Sequence, residues 1–296
     1  MIYDVRQTTT YAYASPAAYA HHVLRLVPIA RERQRVTAAV LDIEPLPVRR
    51  REGHDFFENR TTVVEVDAPH KTLAVKLAAR ISVEAAEPTD FDATPPWESV
   101  RAETLASLDL GPHSPVHFIY PSRQVSLDPE IRDYVHASFP PGRAVLAGAA
   151  EVMRRIKHDF TYEPGATTVT TTPSMSFALR RGVCQDFAHI MISGLRGLGL
   201  PAAYVSGYLR TVPRAGAARL EGADAMHAWV MVWCGSAGWW GLDPTNRQEV
   251  GPRHIKIGHG RDYDDVQPLR GVYLGAGDHK LDVCVSIRRG AAASQQ

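Results

Sequence analysis

The 296-residue chain is 45% apolar and 22% charged, close to the averages of globular proteins, and it holds enough apolar material for a sizeable core. Its 33 basic and 32 acidic side chains leave a formal net charge of +1, so neither nucleic acid nor an anionic membrane is expected as a partner. No run approaches the ~18 consecutive apolar residues of a transmembrane helix.

Two further features predict a cytoplasmic protein. The N-terminus "MIYDVRQTTT" has no basic start followed by an apolar run, so it is unlike a secretory signal. The three cysteines, Cys184, Cys234 and Cys284, are far apart and odd in number, which predicts no disulfide framework. They also form no CxxC pair, which argues against a zinc site.

Residues 1–90 are predicted to form a β-rich domain. Short runs rich in Val, Ile, Leu and Thr are separated by turn-forming residues, as in strands of an antiparallel sheet or sandwich. The predicted strands are 23–29, 35–45, 61–67 and 72–84, with a turn in "DFFENRTT" (55–62).

The composition changes after residue 90. A Pro- and Asp-rich connector (91–125) is predicted to carry a short helix at 98–108, and an α+β domain is predicted over 126–289. Its expected helices are 127–139, with Asp128 as N-cap, 144–157, and the segment that starts near Cys184 and ends at Gly199 and Pro201. Strands are expected at 202–209, 226–233, 238–243 and 281–288, and residues 290–296 are expected to form a disordered tail.

Cys184, in "RRGVCQDFAH", is the first candidate for chemistry. A cysteine at a helix N-terminus faces the positive end of the helix dipole, which favours the thiolate. The first-turn N–H groups have no intrahelical partner and could bind an oxyanion. Without further context, however, a single buried cysteine is more often a small packing residue, and Cys234 and Cys284 are interpreted in that way.

Two downstream residues supply the partners that a nucleophilic thiol needs. His227 opens one predicted strand and Asp243 closes the next, so adjacent antiparallel strands can bring the imidazole and the carboxylate together. A thiol needs a base to take its proton, and the base needs an acceptor that fixes its tautomer. Cys184, His227 and Asp243 are therefore the predicted catalytic residues.

Other residues near these motifs have more than one interpretation. Gln185 and Asp186 lie in the first helical turn and are both candidates for residues that support the site. Asp186 suits the dipole, and its structural role as a helix cap is favoured. Trp229 and Trp240 are candidates for an apolar substrate slot, although packing in the core explains them equally well. His189 lies ~500° around the helix from Cys184 and is interpreted as a packing or hydrogen-bonding residue.

Two short segments are interpreted from composition alone. The pair His21–His22 lacks further ligands and is interpreted as surface or turn. Residues 210–225 are small, polar and rich in Gly and Ala, which is typical of a mobile loop.

The order of the motifs resembles that of the bacterial transglutaminase-like proteins of the papain-like superfamily. The blocks are "GVCQDFAH", "GLGLPAAYVSGYL", "AMHAWVMVW", "GWWGLDPTN" and "GRDYDDVQPLRGVYLG", with "LRLVPI" and "DFFENR" near the N-terminus. One departure is Glu58, where the family more often has glycine in a turn. The resemblance implies a β-rich N-terminal domain before the catalytic core, with Cys184 as nucleophile, His227 as general base and acid, and Asp243 orienting His227.

The predicted function is acyl transfer or hydrolysis at an amide of a peptide or protein, through a thioester on Cys184 and without a cofactor. An amine acceptor would give transamidation, and water would give deamidation or proteolysis. One alternative is a non-catalytic peptide-binding or assembly protein on the same scaffold. Another is a metal-binding protein that uses His and Cys.

Overall fold

The computed structural model describes residues 1–31, 33–85, 90–211 and 225–290. In chain order the strands of the described residues are β1 (Ile2–Ala17), β2 (Tyr19–Leu24), β3 (Gln34–Glu44), β4 (Arg49–His54), β5 (Arg60–Val66), β6 (His70–Val83), β7 (Thr161–Tyr162), β8 (Arg181–Gly182), β9 (Ala202–Leu209), β10 (Ala225–Trp233), β11 (Trp239–Asp243), β12 (Gln248–Glu249), β13 (His254–Gly260), β14 (Leu269–Leu274) and β15 (His279–Arg289). The helices are α1 (Trp97–Ala106), α2 (Pro129–His136), α3 (Val145–Asp159), α4 (Pro173–Leu179) and α5 (Cys184–Gly197).

The longest of these helices, α3, has 15 residues. No described helix is long and apolar enough to cross a membrane.

Two four-stranded antiparallel sheets form a β-sandwich, in the orders β15-β1-β6-β3 and β14-β2-β5-β4. Alternate residues of β6 are buried, including Leu73, Val75 and Leu77, because successive side chains of a strand point to opposite faces. They pack with buried side chains of the second sheet, such as Val64 and Val66, in one hydrophobic core. The predicted β-rich N-terminal part is thus confirmed as a sandwich.

The last two strands of the chain belong to this sandwich. Strand β15 pairs with β1, from Tyr3 opposite Arg289 to Tyr13 opposite His279, and β14 pairs with β2. Sheet pairing therefore differs from the predicted division of the chain, in which residues 126–289 form one unit. The physical reason is that Val285 and Ile287 are buried in the core of the sandwich.

The predicted strand 23–29 is wrong beyond its first two residues, since β2 ends at Leu24. The apolar residues Leu26, Val27 and Ile29 are buried in the core, but they lie outside any strand. Pro28 lacks an N–H group and interrupts any ladder at that point.

The turn Asp55–Asn59 explains why glycine would suit the position of Glu58. Glu58 has a φ of 60°, the left-handed region that glycine adopts without cost. The turn is held by the Asp55 carboxylate, which accepts N–H groups from Phe57 and Asn59 at 3.0 Å.

The second part of the molecule is a five-stranded antiparallel sheet, in the order β12-β11-β10-β9-β13, covered by helices. Helix α5 packs against β9 and β10, and α2, α3 and α4 pack against α5. Almost every residue of α5 is buried, as expected of a helix that is surrounded on all sides. The predicted α+β class, with a cysteine-bearing helix on an antiparallel sheet, is confirmed.

The predicted connector 91–125 is part of this helical layer. Val100 of α1 lies in its core, and Thr94 accepts the Leu146 N–H at 3.1 Å with its hydroxyl oxygen. Most of the predicted loop 210–225 and all but the first residue of the predicted tail lie outside the described residues.

Buried carboxamides join the sandwich to the edge strand β13. Gln34 donates to the Lys256 carbonyl at 2.7 Å and accepts the Lys256 N–H at 2.8 Å. Asn59 does the same with His259, at 2.7 and 2.8 Å. A further bond, from the Tyr208 hydroxyl to Gln7 at 2.7 Å, ties β9 to β1.

Candidate active site

Cys184 is the first residue of α5 and is partly exposed. The Asp186 carboxylate accepts the Val183 N–H at 2.8 Å and the Thr167 hydroxyl at 2.6 Å, so it caps the helix just beneath the thiol. Burial raises the pKa of Asp186, and these hydrogen bonds oppose the rise. A Cβ on Gly182 would lie 2.6 Å from an Asp186 oxygen, which explains glycine at that position.

Gln185 points away from this cap. Its side-chain amide donates to the Val169 carbonyl at 3.1 Å, which ties the helix start to the preceding loop. Both residues proposed as supports of the site therefore hold backbone around Cys184.

His227 and Asp243 are brought together by the pairing of β10 with β11. Val230 lies opposite Leu242, so the same register places Asp243 opposite Trp229. His227 is two residues before Trp229 and points to the same face, which makes it the diagonal neighbour of Asp243. The distance from His227 Nε2 to Asp243 Oδ2 is 2.8 Å. The Asp243 side chain is fully buried, and that of His227 is 9% exposed.

The charges of this pair stabilise each other. Burial works against the imidazolium, but hydrogen bonds with Asp243 and Cys184 and the charges of both outweigh it and raise the pKa of His227 to about 10. Burial alone would raise the pKa of Asp243, whereas hydrogen bonds from His227 and His254 hold it well below its usual range. Because Nε2 of His227 is bonded to Asp243, Nδ1 is the ring atom left for the thiol.

Two residues beside this pair were not found by sequence analysis. The Asn246 side-chain amide donates to Asp243 Oδ2 at 2.7 Å, and His254 Nε2 lies 3.2 Å from the same oxygen. Asn246 stands three residues after Asp243 in "DPTN", a spacing that could have suggested a turn bond to the carboxylate. His254 opens β13, and no sequence signal connects it with Asp243.

Comparisons with known proteins place both parts of the chain in known families. Residues 3–82 match the model of the bacterial transglutaminase-like N-terminal region, and residues 136–244 match that of the transglutaminase-like superfamily. An uncharacterized protein of Mycobacterium tuberculosis is 37% identical over 300 residues, which cover 96% of this chain and 92% of the relative. An uncharacterized protein of Mycobacterium leprae is 33% identical, with 96% of this chain and 98% of the relative covered.

The chain belongs to the bacterial transglutaminase-like family. A protein-glutamine gamma-glutamyltransferase of Pseudomonas aeruginosa is 33% identical to this family member over 114 residues, 37% of this chain and 17% of that protein. Among solved structures, one from Cytophaga hutchinsonii described as a "Putative Cysteine Protease" superposes with a TM-score of 0.76 at 20% identity, and covers 100% of this chain and 92% of its own. At that identity the likeness concerns the fold alone.

Of the two tryptophans considered as candidates for a substrate slot, Trp229 fits the other interpretation, packing in the core. It is only 1% exposed, and its ring packs edge-on against that of His254, with centroids 5.3 Å apart. Trp240 is partly buried against the helical core and donates its indole N–H to the Ala237 carbonyl at 2.9 Å. Its role towards a substrate stays a prediction.

The other histidines and cysteines singled out in the sequence lie apart from the thiol. His189 is buried and accepts the Tyr263 N–H at 3.3 Å, and burial lowers its pKa to about 3, in agreement with a hydrogen-bonding role. His22 is also buried, between the sheets of the sandwich, so its interpretation as surface or turn is wrong. Cys234 is buried and Cys284 exposed, both as free thiols.

One group of side chains among the described residues has donor atoms close enough to hold a metal ion. It consists of His227, Asp243 and His254, whose ligand atoms all lie within 4.8 Å of one another. In the structure these atoms are already joined to one another by the hydrogen bonds given above.

Proposed function

We propose that this transglutaminase-like protein is a cysteine enzyme that transfers or hydrolyses acyl groups of amides in peptides or proteins, with Cys184 as nucleophile. The observation that carries the proposal is the buried His227–Asp243 pair, 2.8 Å between Nε2 and Oδ2, hydrogen bonded on to a thiol at a helix N-terminus. Membership of the family supports the same general chemistry.

In the first half of the reaction the Cys184 thiolate attacks the amide carbonyl carbon. Its proton has passed to His227, which the raised pKa keeps as imidazolium at neutral pH. The first-turn N–H groups of α5 have no acceptor within the helix, and those next to Cys184 are placed to stabilise the developing oxyanion. His227 then gives its proton to the leaving nitrogen, the C–N bond breaks, and a thioester to Cys184 remains.

In the second half an amine or water resolves the thioester. The incoming group loses its proton to His227 and attacks the thioester carbon, and the thiolate leaves. An amine acceptor gives a new amide and water gives a carboxylic acid, and in both cases the thiolate–imidazolium pair is restored.

We place the reaction in the cytoplasm. Cys184, Cys234 and Cys284 are all free thiols, as is usual in a reducing compartment.

The alkylation rate of each cysteine by iodoacetamide, followed by peptide mass spectrometry from about pH 5 to about pH 9, tests the proposal. Cys184 is expected to react rapidly near the acid end of this range, because its proton resides on His227. Cys234 is an internal control that should stay inert, since burial raises the pKa of its thiol to about 12.

His227→Ala is expected to slow the alkylation of Cys184 and leave Cys284 unchanged. Glutamine peptides with a fluorescent primary amine would then separate transamidation from hydrolysis. If Cys184 reacted no faster than Cys284 at any pH, the proposal would be wrong, and peptide binding without catalysis would become the better explanation.

A further inference from the structure

His254 makes two hydrogen bonds that fix its protonation. Its Nδ1 accepts the Gly251 N–H at 3.2 Å, so this nitrogen carries no proton. The proton of the neutral ring must therefore lie on Nε2, which donates it to Asp243 Oδ2 at 3.2 Å. The tight turn from Gly251 to His254 thus sets the tautomer through a main-chain group.

The Asp243 carboxylate is held on both of its oxygens. Oδ1 accepts the N–H groups of Thr245 and Asn246, at 3.0 and 3.2 Å. Oδ2 accepts from His227, His254 and Asn246. Rotation of the carboxylate would break several of these bonds at once, so its plane is fixed towards His227.

The donors to Oδ2 differ in how firmly they are themselves held. Asn246 is exposed and belongs to the turn after β11, whereas the His254 side chain is 2% exposed. The His254 ring is clamped between the Gly251 N–H and the face-to-edge contact with Trp229. It is therefore the rigid support of the carboxylate.

We propose that His254 is a positioning residue, a neutral second histidine that holds Asp243 from the side opposite the turn so that Asp243 keeps His227 aligned with Cys184. The inference rests on the proposed function. It adds a fourth, buried residue to the series Cys184, His227 and Asp243. Loss of the outer hydrogen-bond partner of a metal ligand typically costs about 10- to 100-fold in activity, and we expect a loss of the same order here.

Three variants test the proposal, with release of nitrophenol from p-nitrophenyl acetate as the measure of Cys184 acylation. His254→Leu removes the donor at similar volume and should slow acylation about 10- to 100-fold. His254→Gln can place an amide N–H where Nε2 lies and should restore most of the rate. His254→Asn places its amide near the position of Nδ1, too short to reach Asp243, and should stay slow.

The matched control is His22→Leu, which removes another buried histidine, in the sandwich. It should leave acylation unchanged. If His254→Leu did not fold, the comparison of Gln with Asn at the same position would still decide the question, since both are polar and differ only in reach.

A double-mutant cycle separates positioning from packing. When Asp243→Ala is already present, His254→Leu should cost no further rate, because the group through which it acts is gone. If His254 merely stabilised the fold, His254→Leu would lower the rate by the same factor with and without Asp243→Ala, and that result would overturn the proposal. Equal rates for His254→Gln and His254→Asn would also overturn it.

Failure of the proposed function looks different. It would appear as an acylation rate that Cys184→Ala leaves unchanged in the otherwise wild-type chain. A Cys184-dependent rate that His254→Leu does not alter would refute the role of His254 alone.

Discussion

His227 and Asp243 form a buried charge pair, and such pairs are tolerated only when both members are fully hydrogen bonded. The carboxylate meets this condition through five donated hydrogen bonds, from His227, His254, Thr245 and twice from Asn246. Removal of one member should therefore affect stability as well as catalysis.

We expect Asp243→Asn to destabilise the protein by about 3 kcal/mol at mildly acidic pH, since it breaks a buried pair. The pKa of His227 is raised from 6.5 to about 10, so its contribution is fully present below pH 6.5 and is lost as the pH rises through about 10. The pKa of Asp243 is lowered, so its contribution is present above its ordinary value of 3.8 and is lost only as the pH falls well below it.

Urea unfolding at about pH 5.5 and about pH 10.5 checks this expectation. The difference in free energy of unfolding between wild type and variant should be larger at the lower pH. Asp4→Asn, which breaks the exposed pair with Arg80, should give a small difference that is the same at both. A difference for Asp243→Asn that did not depend on pH would contradict the charge pairing.

At the scale of single elements, the start of α5 is the part of the fold on which the thiol depends. Asp186→Ala leaves the Val183 N–H without its acceptor and removes the bond to Thr167. We expect a loss of about 1 kcal/mol in the free energy of unfolding, typical of a lost helix cap, and slower alkylation of Cys184.

Glu130→Ala is the matched control, because Glu130 also lies in a first helical turn while the cap of its helix is Asp128. Thermal unfolding of both variants, with iodoacetamide alkylation, would test the role of Asp186. If the two variants had the same melting temperature, the Asp186 cap would make no measurable contribution to stability.

Elements with a clear hydrophobic period were predictable, and those without it were not. The helices α2, α3 and α5 and the strands β10 and β11 were found with small errors at their ends, which sufficed to pair His227 with Asp243. Strand β4, "RRREGH", is exposed along its whole length, so no alternation marks it. The buried face of strand β1 includes the polar residues Gln7 and Thr9, and the strand pairs with β15 near the other end of the chain, so its pattern of apolar residues is weak.

The site residues were likewise predictable only where the sequence indicates which elements are neighbours. His227 and Asp243 lie on consecutive strands, β10 and β11, so their approach follows from order along the chain. His254 reaches Asp243 only because β13 returns to the sheet beside β9, and nothing in the sequence fixes the order β10-β9-β13.

At the scale of the whole molecule, the sandwich is closed by the end of the chain. A chain that ends at residue 268 loses β14 and β15 and uncovers β1 and β2, the strands with which they pair. Val285 and Ile287, both buried, are lost with them. We therefore expect this truncation to abolish cooperative unfolding and to cause aggregation.

A chain that ends at Gly290 keeps every described strand and is the control. Circular dichroism melting and size-exclusion chromatography would compare the two. If the chain ending at residue 268 were monomeric and melted like the control, the sandwich would not need its C-terminal strands.

The two carboxamides that bind β13 have a consequence for the behaviour of the protein at high concentration. Strand β13 is an edge strand, and an edge with free N–H and C=O groups is a template for another chain. Gln34 and Asn59 occupy those groups at Lys256 and His259 with the same donor and acceptor that a neighbouring strand would offer. The sandwich thus blocks strand addition at these two positions of the five-stranded sheet, and we expect the resistance of that sheet to aggregation to depend on the sandwich beside it.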